Sequence, residues 1–254
     1  KLVGKWHCGD QPEFLPTRHG FDSYYGLPYS NDMGRQAGRL DIPPLPLMRN
    51  REVIQEQPDQ AALTERYTED CVRFLRAHRD EPFFLYLAWG PPHDPYFTAP
   101  EKYRAQYDPA RLSLRPNVPE TASANARKIQ AGYYAHCTAL DECVGDLRRT
   151  LEETGLAENT LLVFTSDHGD MLGSQAATHK QRPWDESIRV PLVMRYPKLI
   201  KAGTKIEHEA LNIDMAPTML ELGGVSAPMS SACARWASTS SATSSSAARS
   251  PSRS

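Results

Sequence analysis

Long hydrophobic runs, an excess of one charge and closely paired cysteines are all missing from this sequence of 254 residues. The longest nearly unbroken apolar stretch, Phe83–Trp89, is far short of the roughly 20 residues that cross a bilayer, and no charged-then-apolar leader opens the chain. That excludes a helical membrane span. Lys+Arg 29 against Asp+Glu 31 leaves a formal net charge of -2, so no basic field exists to hold nucleic acid or an anionic membrane by bulk electrostatics. Any anion must be bound locally. The five cysteines, Cys8, Cys71, Cys137, Cys143 and Cys233, show no CxxC spacing, which excludes a zinc ribbon and a full disulfide framework and leaves most of them reading as small buried hydrophobes.

What is present is ordinary globular composition, 40% hydrophobic and 24% charged, enough for a sizeable core. The chain opens at Lys1 inside what reads as the end of a strand followed by the dense motif KLVGKWHCG, which points to an N-terminally truncated fragment. Up to about Asn50 the sequence is rich in Gly, Pro, Asp and Tyr without sustained periodicity, as in ordered functional loops. Leu63, Tyr67, Cys71, Phe74, Leu75 and His78 then predict an amphipathic helix over 61–78, ended by Pro82. Ile129, Tyr133, Cys137, Leu140, Val144, Leu147 and Leu151 predict a second, stopped by Gly155. A third, short helix over 213–222 opens at Asn212 or Asp214 and closes at Gly223-Gly224.

Three apolar runs, PFFLYLAW (82–89), TLLVFTS (160–166) and VPLVMRY (190–196), read as strands buried on both faces. Helices alternating with such strands give an α/β fold, a mostly parallel or mixed central sheet with helices on both faces. The partial catalytic domain is expected over 1–229. Residues 230–254 change composition abruptly, with 11 Ser and 6 Ala among 25 residues, and read as a disordered or out-of-frame tail. Deleting 230–254 is therefore expected to leave the melting temperature of the remainder unchanged; a cooperative loss of stability in a thermal scan would make the segment part of the fold.

In an open α/β sheet, ligand and catalytic groups gather past the carboxyl ends of the strands. Lys5 and His7 follow the first strand-like residues, His93 in PPHDP follows the second, and Asp167 and His168 in DHGD follow the third. One such residue alone is most often a cap or a turn; three strand ends together are a pattern. Asp167 and His168 could hold part of the shell of a divalent cation, whose remaining ligands must come from elsewhere. Lys5 and Lys180 suit a tetrahedral anion, and His7 and His93 carry protons near neutral pH. The set suits displacement at sulfur or phosphorus, and the six side chains are expected around one cavity within about 10 Å, the scale of a small-ligand pocket.

At GKWHCG (4–9), PTRHGFDSYYGLPYSNDM (16–33), PPHDP (91–95), TSDHGDMLGS (165–174) and HKQRPWDESIRVPLVMRYP (179–197) the sequence resembles the type I sulfatases of the alkaline phosphatase superfamily, from about Lys1 to Pro228. The resemblance implies an alkaline phosphatase-like fold and hydrolysis of a sulfate monoester of a sugar or aryl alcohol. It implies that Asp167 and His168 ligate Ca2+ (or Mg2+ or Mn2+), that Lys5 and His7 stand beside a formylglycine nucleophile, and that His93 and Lys180 contact the ester oxygens and assist the leaving alcohol. It also implies a formylglycine-generating or sulfatase-maturing enzyme as partner. The family's Cys-x-Pro/Ala-x-Arg segment, the source of formylglycine, has no counterpart among the five cysteines, and the aspartate pair of its first strand is absent. No nucleophile is identified in this chain; it is expected in an N-terminal segment. Gln175-Ala176 stands where many relatives carry His-Gly, which predicts an altered loop before Lys180.

His19 and Asp22 read as a turn fixing the loop; His78, His136 and His208 read as surface or core histidines. Tyr24, Tyr25, Tyr29, Asn31 and Asp32 read either as lining a sugar or aryl subsite or as packing. Two other functions stay open: a phosphonate monoester or phosphodiester hydrolase of the same superfamily, and a non-catalytic anion- or glycan-binding relic. The compartment, periplasmic or secreted against cytoplasmic, is left open by the sequence.

Overall fold

A computed structural model describes residues 1–36 and 39–225. The expected boundary at 229 and the Ser-rich tail lie outside them. The chain divides into two compact units, Lys1–Ile200 and the part from Lys201 onward.

In the first unit, strands β1 (Leu2–Gly4), β2 (Tyr24–Gly26), β3 (Pro46–Arg49), β4 (Glu52–Glu56) and, after helix α1 (Gln60–Ala77), β5 (Tyr86–Ala88) form one sheet in the order β4-β3-β2-β1-β5. β1 runs parallel to both neighbours, with Leu2 opposite Tyr24 and Tyr86, while β2, β3 and β4 pair antiparallel, so the sheet is mixed. β2 and β3 lie in, and β4 just beyond, the segment whose Gly, Pro and Asp content reads as loop, because strands of three to five residues are too short to show a period.

α1 starts where the Asp59 carboxylate accepts the Ala61 N–H at 3.0 Å. Its face of Leu63, Tyr67, Cys71 and Leu75 packs with Leu147 and Leu151 of the long helix α3 (Glu120–Glu153) and with Val3, Tyr25, Leu27 and Leu47 of the sheet. Each fully buried side chain of this kind contributes about 1.5–3 kcal/mol, so this cluster dominates the stability of the unit. α3 ends as expected, with Gly155 in the left-handed region at φ 73. The opposite sheet face, Leu2, Tyr24 and Met48, is covered by Leu15, Trp6 and Phe21 from the loop after β1. The large α-helices thus take one face and a loop with one 3-10 turn (Pro16–Arg18) takes the other.

The apolar runs differ from the reading of strands buried on both faces. In 83–89 the side chains alternate: Phe83, Leu85, Leu87 and Trp89 pack on the helical core, whereas Phe84 and Tyr86 are 55% and 50% exposed and meet Phe21 at 5.9 and 6.5 Å. β5 is an edge strand of this sheet, and on that face the Phe21 ring packs against it. The other two runs become β6 (Leu162–Thr165) and β7 (Leu192–Arg195), paired antiparallel in a separate two-stranded sheet with Phe164 and Val193 exposed. An apolar run marks a strand that is able to be buried; which faces meet other elements is decided by the tertiary arrangement.

Between and beyond these lie the short helices α2 (Glu101–Arg104) and α4 (Asp185–Ile188). The second unit, as far as described, holds a 3-10 turn Asn212–Asp214 leading into α5 (Met215–Leu222), closed by Gly223 and Gly224 as expected; the Asp214 carboxylate accepts the Leu211 N–H at 2.8 Å. No described helix is long and apolar enough to cross a membrane.

Candidate active site

Lys5 leaves β1 where three strands are tightly stitched: the Lys5 N–H donates to Ala88 O at 2.8 Å, and Trp6 and His7 donate to Leu27 O and Pro28 O, each at 3.0 Å. Two glycines permit this approach. A Cβ on Gly4, at φ +107, would lie 2.0 Å from Ala88 O, and one on Gly26 would lie 1.8 Å from Gly4 O. His7 itself sits at φ 59, a left-handed backbone that costs a non-glycine residue about 1–2 kcal/mol and is held by those hydrogen bonds.

His93 follows β5 in the turn before the 3-10 segment Tyr96–Thr98. Its Nδ1 is 2.8 Å from Asp94 O and its Nε2 is 2.6 Å from Lys180 Nζ. The Lys180 ammonium can only donate, so Nε2 accepts and Nδ1 carries the hydrogen given to Asp94 O. Asp32 Oδ1 stands 3.9 Å from Nδ1 and is buried without a hydrogen-bond partner. His168, just past β6, puts its ring centroid 5.9 Å from that of His93; its Nδ1 is fixed by Gly169 O at 2.7 Å, leaving Nε2 3.6 Å from Asp167 Oδ2. The Asp167 Oδ1 accepts the His168 N–H at 3.1 Å.

Electrostatics ties the remaining members to the same place. Burial holds the Lys5 ammonium below the usual lysine range; Lys180 pushes the same way, and the Asp167 and Asp32 carboxylates oppose it. Burial lowers His7, reinforced by Lys5. Burial also lowers His93, its bond to the Asp94 carbonyl opposing and the two lysines reinforcing. The His93–Lys180 hydrogen bond places its hydrogen between two nitrogens 2.6 Å apart. Residues far apart in sequence, Lys5, His7, His93, Asp167, His168 and Lys180, are thus brought into one polar cluster. Beneath Lys5, walled by Asn31, Gln60 and Tyr67, lies a hole of about 10 Å³, room for one water.

Among the described residues no group of three or more His, Cys, Asp or Glu side chains could hold a metal ion. Asp167 and His168 suit a divalent cation by donor type but are two donors where a hard ion takes about six. They fit as part of a shell, not as a complete site.

The Sulfatase family profile matches residues 1–225. The chain belongs to the sulfatase family. It is 34% identical over 233 residues to an ulvan-active sulfatase of Formosa agariphila, covering 89% of this chain and 44% of that protein. It is 28% identical over 249 residues to the N-acetylgalactosamine-6-sulfatase of Mus musculus, covering 90% and 43%. The crystal structure of Ps i-CgsB in complex with k-i-k-neocarrahexaose superposes with a TM-score of 0.64 at 27% identity, over 89% of this chain and 51% of that one. The chain thus spans about half the length of the relatives it matches.

The structure decides between the readings left open for the neighbouring loop residues. Tyr24 and Tyr25 belong to the core of β2, 1% and 4% exposed, and line no subsite; Asn31 is buried against Gln60, its Nδ2 donating to Oε1 at 2.9 Å. Tyr29 packs beside the main core. Of that group Asp32 stands beside His93, its Oδ1 3.9 Å from Nδ1, and Asn31 borders the hole beneath Lys5. His19 ends the 3-10 turn, its N–H donating to Pro16 O, in keeping with a turn that fixes the loop. Cys8 is exposed, unlike Cys71 and Cys143. Gln175 and Ala176 both adopt left-handed backbone, φ 56 and 57, so side chains stand where glycine is at ease and the loop carries strain. The formylglycine pattern with serine as its first residue occurs once, Ser245-Ser246-Ala247-Ala248-Arg249, in the low-complexity tail outside the described residues. Tyr96, Asp170 and His179, which join the loops of the cluster, were not legible in the sequence.

Proposed function

We propose that this chain carries the anion-clamping and leaving-group half of a sulfatase active site, acting on a sulfate monoester of a carbohydrate or aryl alcohol. The observation that carries the reading is the Lys180–His93 pair, 2.6 Å apart, beside Lys5 at the strand ends. Similarity to an ulvan-active sulfatase, to an N-acetylgalactosamine-6-sulfatase and to a protein solved with a neocarrahexaose favours a carbohydrate ester.

In this reading the Lys5 and Lys180 ammonium groups take the sulfate oxygens, replacing water with fixed charge where negative charge grows in the transition state. The proton shared by Lys180 and His93 goes to the departing alcohol oxygen. His7, kept toward its neutral form by burial, would accept the proton given up by the attacking hydroxyl beside Lys5. Asp167 and His168 would hold Ca2+, or Mg2+ or Mn2+, together with ligands from an N-terminal segment; bound there, the cation would polarise the ester and a formylglycine residue made by a maturing enzyme would supply the attacking oxygen.

The test uses a protein in which a segment bearing formylglycine and the aspartate pair is supplied. His93→Ala is expected to slow esters of poor leaving groups by about 10²–10⁴-fold and activated aryl sulfates far less, because proton donation matters most for a basic alcohol. Equal losses on both would remove His93 from proton transfer. Aryl sulfate is expected to outpace aryl phosphodiester; the reverse order would favour the phosphonate and phosphodiester alternative.

A further inference from the structure

Besides the loop after β1 that carries Lys5 and His7, three separate loops carry the cluster, and one side chain links those three. Tyr96 lies three residues after His93, is 3% exposed, and packs with Ile129 and Leu172. Its hydroxyl donates to Asp170 Oδ2 at 2.7 Å, and the other oxygen of that carboxylate accepts the Leu172 N–H at 3.0 Å. Its ring stacks on His179, the neighbour of Lys180, at 6.4 Å and 20°. The loops are also joined directly, since the Met171 N–H donates to His179 O at 2.9 Å.

The position of Tyr96 is itself enforced. α3 passes so close that a Cβ on Gly132 would lie 2.3 Å from Tyr96 O. On the next turn His136 sets Nε2 3.3 Å from Thr98 Oγ1, whose hydroxyl donates to Pro95 O at 2.8 Å. The long helix therefore fixes Tyr96, and Tyr96 reaches the loops.

We propose that Tyr96 is a positioning residue, whose hydroxyl ties the turn bearing His93 to the loop bearing Asp167 and His168 and whose ring ties both to the segment bearing Lys180. A hydroxyl given to a carboxylate makes a strong, directional bond, stronger than a neutral pair. Burial, and next the Asp170 carboxylate, push the phenol well above its usual range, so the hydroxyl keeps its proton. Without that bond, Asp170 turns to solvent and its loop loses the anchor that keeps Lys180 against His93. The inference rests on the reading of these residues as one site.

The test is made on the chain as it stands, by amide hydrogen exchange and by nitrogen-15 spectra of the imidazole rings. Tyr96→Phe keeps the ring and removes only the hydroxyl. Exchange at Gly169, Leu172 and His93 is expected to rise about tenfold or more while the core amides of α1 and α3 hold. The His93 ring is expected to pass from a single Nδ1–H tautomer to a mixture, because Lys180 no longer faces Nε2. Asp170→Ala is expected to reproduce both changes, and the double variant to add little to either. Unchanged loop exchange, an unchanged His93 tautomer, or additive effects in the double variant would each overturn the proposal. None of these readouts needs ester hydrolysis, so they stand or fall separately from the sulfatase reading, whose failure is seen as the wrong turnover pattern in an intact protein.

Discussion

Incubated with Ca2+ and an activated aryl sulfate, the 254-residue chain is expected to release no sulfate above background. Lys5, Lys180 and His93 can hold an anion and protonate a leaving group, but none of them is an oxygen nucleophile that takes a sulfuryl group. Loss of the covalent nucleophile from a hydrolase that depends on one costs on the order of a millionfold, far beyond what the remaining electrostatics recover. Metal affinity is expected to be weak as well, because Asp167 and His168 leave most of a six-ligand shell to water. Supplying a segment with the aspartate pair and formylglycine is expected to restore both. Ser245→Ala is the necessary control, since Ser245 alone stands in a Ser-x-Ala-x-Arg context. Multiple turnovers by the chain alone, abolished by Lys5→Ala, would refute the account and require another nucleophile.

Gly26→Ala is expected to cost the first unit more than about 4 kcal/mol, at the upper end of single substitutions, against a total stability on the order of 5–15 kcal/mol. The new methyl would lie 1.8 Å from Gly4 O and 2.6 Å from Gly4 C, inside the backbone of the neighbouring strand. No rotamer relieves a clash with main chain. β1 must move from β2, and Lys5, whose N–H is bonded to Ala88 O, moves with it. A denaturant titration should show the variant unfolded or close to it. Gly145→Ala is the contrasting control: in the middle of α3 it meets only the flexible end of Arg149, at 3.3 Å, so a gain of up to about 1 kcal/mol is expected from better helix propensity. Equal stability of wild type and Gly26→Ala would mean that the β1–β2 approach is looser than described.

The helices were legible because their signal is local and long. The four- and three-residue steps from Ile129 to Leu151 admit one solution, and α3 runs from Glu120 to Glu153 around them. The strands β2, β3 and β4 were not legible, since their pairing partners lie elsewhere in the chain and three to five residues carry no decisive period. The apolar runs were read correctly as strands and incorrectly as buried on both faces. Hydrophobic content reports what a strand tolerates, whereas Phe84, Tyr86 and Val193 are exposed because of which elements lie beside them.

The sequence by itself determined the residue chemistry available: which residue types follow which strands, that Lys5 and Lys180 are of the kind that suits an anion, His7 and His93 of the kind that carries protons and Asp167 and His168 of the kind that suits a cation, and that no cysteine stands in a nucleophile's context. Only the tertiary structure decided which of them touch. Lys180 and His93 are 87 positions apart and 2.6 Å from each other; Tyr96 and Asp170 are 74 apart and share a hydrogen bond. Residue identity and helical period are properties of a short window of chain and survive in the one-dimensional record. A contact across such a span is set by how α3 packs on the Tyr96 turn, by the two glycines that let β1, β2 and β5 close up, and by the backbone bonds of the loops. Those are sums of many weak interactions over the whole fold, and no short window of sequence contains them.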